Sequence, residues 1–310
     1  MPIKGNEESY DRKQLCISVV IGLALSLIMM RAGKVIQLEW SFLMLVLVSL
    51  IANRISPKFT CLAYVMAIVF VIDWILIRLG IKATFFKLSY AKMIYLVGIL
   101  HFIEGIFTFL WGGQNSNPIM TYRGKEVAGG YEAHGQWLIP LLFFSIGGLY
   151  VPIIASVVYC NQSFVLSPKE KAKIMGGLIG GYGILLLAIS YLVEEGLISL
   201  TIGVLSMPLL HEFLFMIDDY IETRPFKYPL PKKGIRVIEI MGTNKLGIAR
   251  GDIIKAINEV IINDEVDYCR GLKQQENVRI TIEKLTGEEV KLVCTVKELR
   301  ESKLIFLPPY

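Results

Sequence analysis

The sequence predicts an α-helical polytopic membrane domain followed by a small α+β domain. Of its 310 residues 54% are hydrophobic and mean hydropathy is +0.55, well above a water-soluble average. The apolar residues gather in long runs up to about Ile221. From about Tyr228 the chain becomes an ordinary mixture of charged and β-branched residues. The expected division is a tail at 1–14, a membrane domain at 15–221, a linker at 222–233 and the small domain at 234–310.

The tail, MPIKGNEESYDRKQ, mixes acid and base and lacks a small-residue cleavage site, so the first apolar run is expected to stay as a membrane helix. Crossing the hydrocarbon takes about 20 apolar residues per helix. Seven stretches are candidates: 15–30, 35–52, 59–77, 93–111, 137–159, 174–193 and 197–217. The first two are compatible with a shallow hairpin.

The formal net charge of +5 lies mostly in short connections, where it reads as topology rather than as a nucleic-acid footprint. One set of connections holds Arg31 and Lys34; Arg78, Lys82, Lys87 and Lys92; Lys169, Lys171 and Lys173; and Arg224, Lys227, Lys232 and Lys233. The other holds Arg54, Lys58, Arg123 and Lys125, and none in the Glu194-Glu195-Gly196 turn. The asymmetry places the small domain in the cytoplasm, although Lys4, Arg12 and Lys13 pull the tail the same way and leave the span count open by one. Five cysteines show no paired spacing and read as small buried hydrophobes.

Ionisable groups inside apolar runs are costly and mark function by default. Here they are Asp73, His101, Glu104 and the pair His211-Glu212, and the expectation is an intramembrane polar cluster of His101, Glu104, His211 and Glu212. His101 and Glu104 are three apart, on one helix face. His211-Glu212 begins the HExxH pattern, in which two histidines on one face hold zinc and the Glu serves as base. Phe215 occupies the second ligand position and cannot bind a metal. Asp218 stands about 10 Å further along the axis, too far to share an ion with His211. No metal, cofactor or catalytic residue is assigned: structural polar packing is the main reading of the cluster, with a metal or proton-relay site assembled across helices by Glu104, His101 and His211 as the alternative.

In the small domain, period-two patterning gives a strand at GIRVIEI, a second after the ARGD turn, and a hairpin in VRITIEKLTGEEVKLVCTVKE about Thr286-Gly287. Asn263 or Asp264 caps a helix with Val266, Cys269 and Leu272 at helical spacing. The order resembles a circularly permuted PDZ domain of the bacterial type. The matching residues are Gly234-Ile235, Gly247-Ile248, Gly251-Asp252-Ile253-Ile254, Ile257-Asn258 and the helix after Asn263. A departure is Gly242-Thr243-Asn244-Lys245 where relatives carry Ser-Pro-Ala. The resemblance implies a peptide site on the last strand and helix, formed by Lys303, Leu304, Ile305, Phe306, Tyr268 and Leu272. Relatives usually place Gly where this chain has Lys303, which argues against capture of a peptide's terminal carboxylate. A strand that merely completes the sheet is the plain alternative.

Over most of its length from Arg54 the chain resembles the MinJ-like cell-division topology family of Gram-positive bacteria. The resemblance rests on RISPKFT at 54–60, LHFIEG at 100–105, Gly112-Gly113 with Pro118, AGG at 128–130, WLIP at 137–140, LLHEF at 209–213 and the closing LIFLP. It implies a non-enzymatic scaffold in the plasma membrane at septa or poles, its PDZ domain cytoplasmic, with partners akin to the coiled-coil protein DivIVA and the division inhibitor MinD, and no nucleic acid. An intramembrane metalloprotease, or a regulator of membrane proteolysis, is the rival reading.

Overall fold

The computed structural model describes residues 12–81, 88–273 and 275–307. The tail up to residue 11, the charges at Lys82 and Lys87, Gln274 and the closing residues 308–310 lie outside them. In chain order the elements are α1 (Arg12–Arg31), β1 (Ile36–Gln37), α2 (Ser41–Asn53), a 3-10 turn (Pro57–Thr60), α3 (Leu62–Arg78), α4 (Tyr90–Trp111), β2 (Asn115–Arg123), β3 (Glu126–Ile146), β4 (Leu149–Ser163), α5 (Pro168–Glu194) and α6 (Leu200–Glu222). Then follow β5 (Tyr228–Pro229), β6 (Ile235–Ile240), β7 (Ile253–Ile257), β8 (Val260–Ile261), α7 (Glu265–Gly271), β9 (Asn277–Glu283), β10 (Glu289–Thr295), α8 (Val296–Glu301) and β11 (Leu304–Phe306).

The chain divides into two compact units. The first comprises Met1–Asn115, His134–Cys160 and Ala172–Tyr220; the second comprises Ser116–Ala133, Asn161–Lys171 and Ile221–Tyr310. Among the described residues four helices, α1, α4, α5 and α6, are long and apolar enough to cross a membrane. At 13 residues α2 is about 20 Å long, short of a hydrocarbon core of about 30 Å.

The stretch 137–159, expected to be a membrane helix, is instead the end of β3 and most of β4. Hydropathy alone cannot separate these states; local chemistry does. Pro140 and Pro152 would each remove an interior helix hydrogen bond. Gly147 and Gly148 join the strands with positive φ at both positions, 57° and 88°, the signature of a two-residue type I′ hairpin. Burial alternates as a strand requires, with Trp137, Ile139, Leu141 and Phe143 inside and Leu138 exposed. In the first unit β3 packs on α1. The Ser26 hydroxyl donates to the Gly22 carbonyl at 2.7 Å and accepts the Leu142 amide at 2.8 Å. Where seven membrane helices were expected, six helices stand among the described residues, and only α1, α4, α5 and α6 of these are long and apolar enough to cross a membrane; α2 and α3, at 13 and 17 residues, are not.

Helices α4 and α5 meet through glycine. A methyl group built on Gly105 would collide with the Gly180 backbone, one on Gly176 with the Phe109 backbone, and one on Gly183 with the Phe102 backbone. Bare backbone faces let the helices approach closely, the usual basis of helix association in lipid. That contact fixes the face of α4 carrying His101.

In the second unit β10, β9, β7, β6 and β11 lie side by side in that order, with β8 on β7. The expected hairpin about Gly287 is present as β9 and β10, paired from Asn277↔Thr295 to Glu283↔Glu289. Asp264 caps α7, its carboxylate accepting the Asp267 amide at 2.7 Å. The expected linker contains β5, which pairs with β3 at Ala128↔Pro229 and Gly129↔Tyr228. The helix α8, which period-two patterning concealed, is closed by a capping box between Thr295 and Glu298.

Candidate functional site

The polar groups of the first unit converge where the turn between α2 and α3 meets the middles of α4 and α6. The carbonyl of Val97 accepts a hydrogen bond from His101 Nδ1 at 2.8 Å. A carbonyl can only accept, so the proton sits on Nδ1 and Nε2 keeps its lone pair as an acceptor. That lone pair faces Cys61 Sγ at 3.4 Å. The His211 ring lies 5.4 Å from the His101 ring, edge to face at 79°.

On the far side of His211, Tyr64 Oη is 3.2 Å from Nδ1 and donates to Glu212 Oε1 at 2.9 Å. Lys58 Nζ donates to the same carboxylate oxygen at 2.7 Å. An ionised carboxylate only accepts, so the Tyr64 proton is committed to Glu212 and Tyr64 Oη accepts from His211 Nδ1. The Nε2 of His211 therefore also keeps its lone pair. The Cys61, His101 and His211 ligand atoms all lie within 4.8 Å of one another.

Tyr182 walls the cluster, edge-on to His101 at 4.9 Å and to His211 at 5.5 Å, its hydroxyl spent on the Met207 carbonyl at 2.9 Å. Phe215 lies tilted on the His211 ring at 5.2 Å, so it contributes packing where HExxH would need a ligand. Asp73 pairs elsewhere, accepting from Tyr90 at 3.3 Å.

Of the four residues expected to cluster, His101, His211 and Glu212 are brought together, and Glu104 stands one turn on from His101. Sequence reading missed Lys58, Cys61, Tyr64 and Tyr182. A usable signal existed: Pro-Lys-Phe-Thr-Cys breaks the apolar run just before α3 and puts polar side chains at the start of that helix.

The second candidate site lies at the β11 edge. Lys303 has φ +46°, a left-handed conformation that Gly would adopt without steric cost. β11 pairs with β6 at Leu304↔Ile240 and Ile305↔Glu239 and ends the sheet. Tyr268 of α7 packs on Phe306 with ring centroids 4.8 Å apart. Tyr268, Leu272 and Phe306 belong to the domain core, which leaves exposed Lys303 and half-buried Leu304 and Ile305 as the reachable side chains of the expected set. Burial raises the Tyr268 hydroxyl above its ordinary value, so it remains a neutral wall.

Together these features define a chain that has, among the described residues, four helices long and apolar enough to cross a membrane and a strand-rich C-terminal region. Compared with known family models, with characterised proteins and with solved structures, the chain matches none of them.

Proposed function

We propose that this chain is a non-enzymatic scaffold of the plasma membrane. A cytoplasmic PDZ-like domain recruits partner proteins, and the MinJ-like resemblance points to septum or pole organisation, with DivIVA-like and MinD-like partners. The observation that carries the reading is the position of β11. It is an end strand with α7 beside it, so its outer backbone groups are available for an added strand while Leu304 and Ile305 offer side-chain contacts. Lys303, in place of Gly, suits an acidic or internal segment better than a terminal carboxylate.

Site-specific photocrosslinking in cells tests it. A photoreactive residue at Ile305 is expected to capture protein partners that one at exposed Val293, on the opposite edge strand β10, does not. Equal capture at both positions sinks the groove assignment. A fluorescent fusion of the full chain is expected at septa or poles, and an even distribution around the cell sinks the division assignment.

The rival reading, membrane proteolysis, draws on the convergence of Cys61, His101 and His211. Against it, Glu212 is held by Lys58 and Tyr64 rather than poised as a base.

A further inference from the structure

We propose that Cys61, His101 and His211 form a binding site for one zinc ion, which fastens the α2–α3 turn to α4 and α6. This goes beyond the scaffold reading and stands or falls separately from it.

The donor set suits the ion. One thiolate and two imidazoles are borderline-soft ligands of the kind zinc takes, and three protein ligands leave a fourth position for water. The spacing suits it as well. Zinc–nitrogen bonds of about 2.0–2.1 Å and a zinc–sulfur bond of about 2.3 Å set tetrahedral edges of about 3.3–3.6 Å. The Cys61–His101 edge is 3.4 Å, and no ligand atom is more than 4.8 Å from another. Closing the widest edge by about 1 Å brings all three onto one ion.

The surroundings supply an independent argument. Metal-bound imidazoles nearly always donate their other ring N–H to a carbonyl or carboxylate, which fixes the tautomer and the ring plane. His101 is so held by the Val97 carbonyl, and His211 is held less directly, through the Tyr64 hydroxyl that is itself bonded to the Glu212 carboxylate. The unprotonated nitrogen of each ring is Nε2, that of His101 already facing Cys61 Sγ, and Cys61 supplies the third donor from the cap position of α3. Tyr182, buried, and Phe215, partly exposed, pack their rings against the two imidazoles. The second ligand that Phe215 denies to α6 comes from α4 instead. Metal binding here needs no reaction step; the thiol gives up its proton to solvent as the ion enters.

The test is metal analysis of the purified full chain in detergent, followed by replacement with cobalt. About one zinc per chain is expected, together with a cobalt spectrum showing tetrahedral bands and a thiolate charge-transfer band. Glu104→Gln is expected to retain zinc, whereas His101→Ala and His211→Ala lose it. Tyr64→Phe is expected to weaken affinity by about 10–100-fold through the His211 ring. Should the histidine variants fail to fold, Cys61→Ser decides: the charge-transfer band must vanish from an otherwise folded protein. No stoichiometric metal with no cobalt spectrum, copper in place of zinc, or zinc retained in the His101→Ala/His211→Ala double variant each overturns the proposal.

Discussion

Asn258 and Glu259 form the two-residue turn between β7 and β8, and both have positive φ, 49° and 69°. A type I′ turn requires this. Asn tolerates the left-handed region, but Glu has a Cβ that strains there, at a cost of about 1–2 kcal/mol. Glu259 is exposed, and its side chain is not needed for the pairing of Ile257 with Val260. Glu259→Gly creates the Asn-Gly pair that this turn favours, and it is expected to stabilise the C-terminal sheet by about 0.5–1 kcal/mol after the larger chain entropy of Gly is counted. Pulse proteolysis of the full chain in urea measures the gain. A loss of stability would show that Glu259 makes a contribution beyond its backbone. Lys303 carries a similar strain at the head of β11, at φ +46°, but sits in the candidate groove. There the same exchange would change recognition and stability together.

At the scale of elements, the α4–α5 contact admits a sharper experiment because this helix pair carries its own control. Gly105 has the Gly180 backbone against it, while Gly181, one residue on, has open space where a Cβ would go. Gly105→Val is expected to force the helices apart at a cost of about 1–3 kcal/mol or more, and Gly181→Val to leave stability nearly unchanged. Thermal unfolding of the detergent-solubilised chain compares the two. Similar melting points would mean that the close crossing contributes little. Legibility in the sequence followed the same physics. Helices α4, α5 and α6 were readable because apolar length is a local property. The pair β3 and β4 was not, since its apolar content is as high as a span's and only Pro140, Pro152 and the Gly147-Gly148 turn betray strands. Half of the polar cluster was readable because His and Glu are rare in apolar helices. Cys61, Tyr64 and Tyr182 were hidden because each is an unremarkable residue in or beside an apolar run until four helices, α3 to α6, are packed together.

For the whole molecule, the division of the chain differs from its division along the sequence. The second unit draws on Ser116–Ala133 and Asn161–Lys171 as well as on everything after Ile221. Tyr131 of β3 shows why. Its hydroxyl donates to the Ile238 carbonyl, its ring meets Tyr228 at 5.9 Å, and these groups bury Ile238 and Leu307 to 3% and 1% exposure. Gly129 belongs to the same layer, because a methyl group there would collide with the Ile238 side chain. The sequence-based count put Arg123 and Lys125 on the side away from the small domain, but Ser116–Ala133 lies in the same unit as that domain, and Ala128-Gly129-Gly130 is a packing surface for its sheet. Excising residues 234–310, the domain boundary that composition suggests, strips this layer away. Two aliphatic side chains return to water at about 1.5–3 kcal/mol each. The isolated fragment is therefore expected to lose about 3 kcal/mol, or about 100-fold in amide-exchange protection, along β6 and β11 relative to the intact chain. Exchange along β9 and β10, remote from Tyr131 in the strand order, reports whether the fragment has folded at all. Full protection of β6 in a folded fragment would show that the layer of Tyr131 is dispensable and that the boundary at 234 is a physical one.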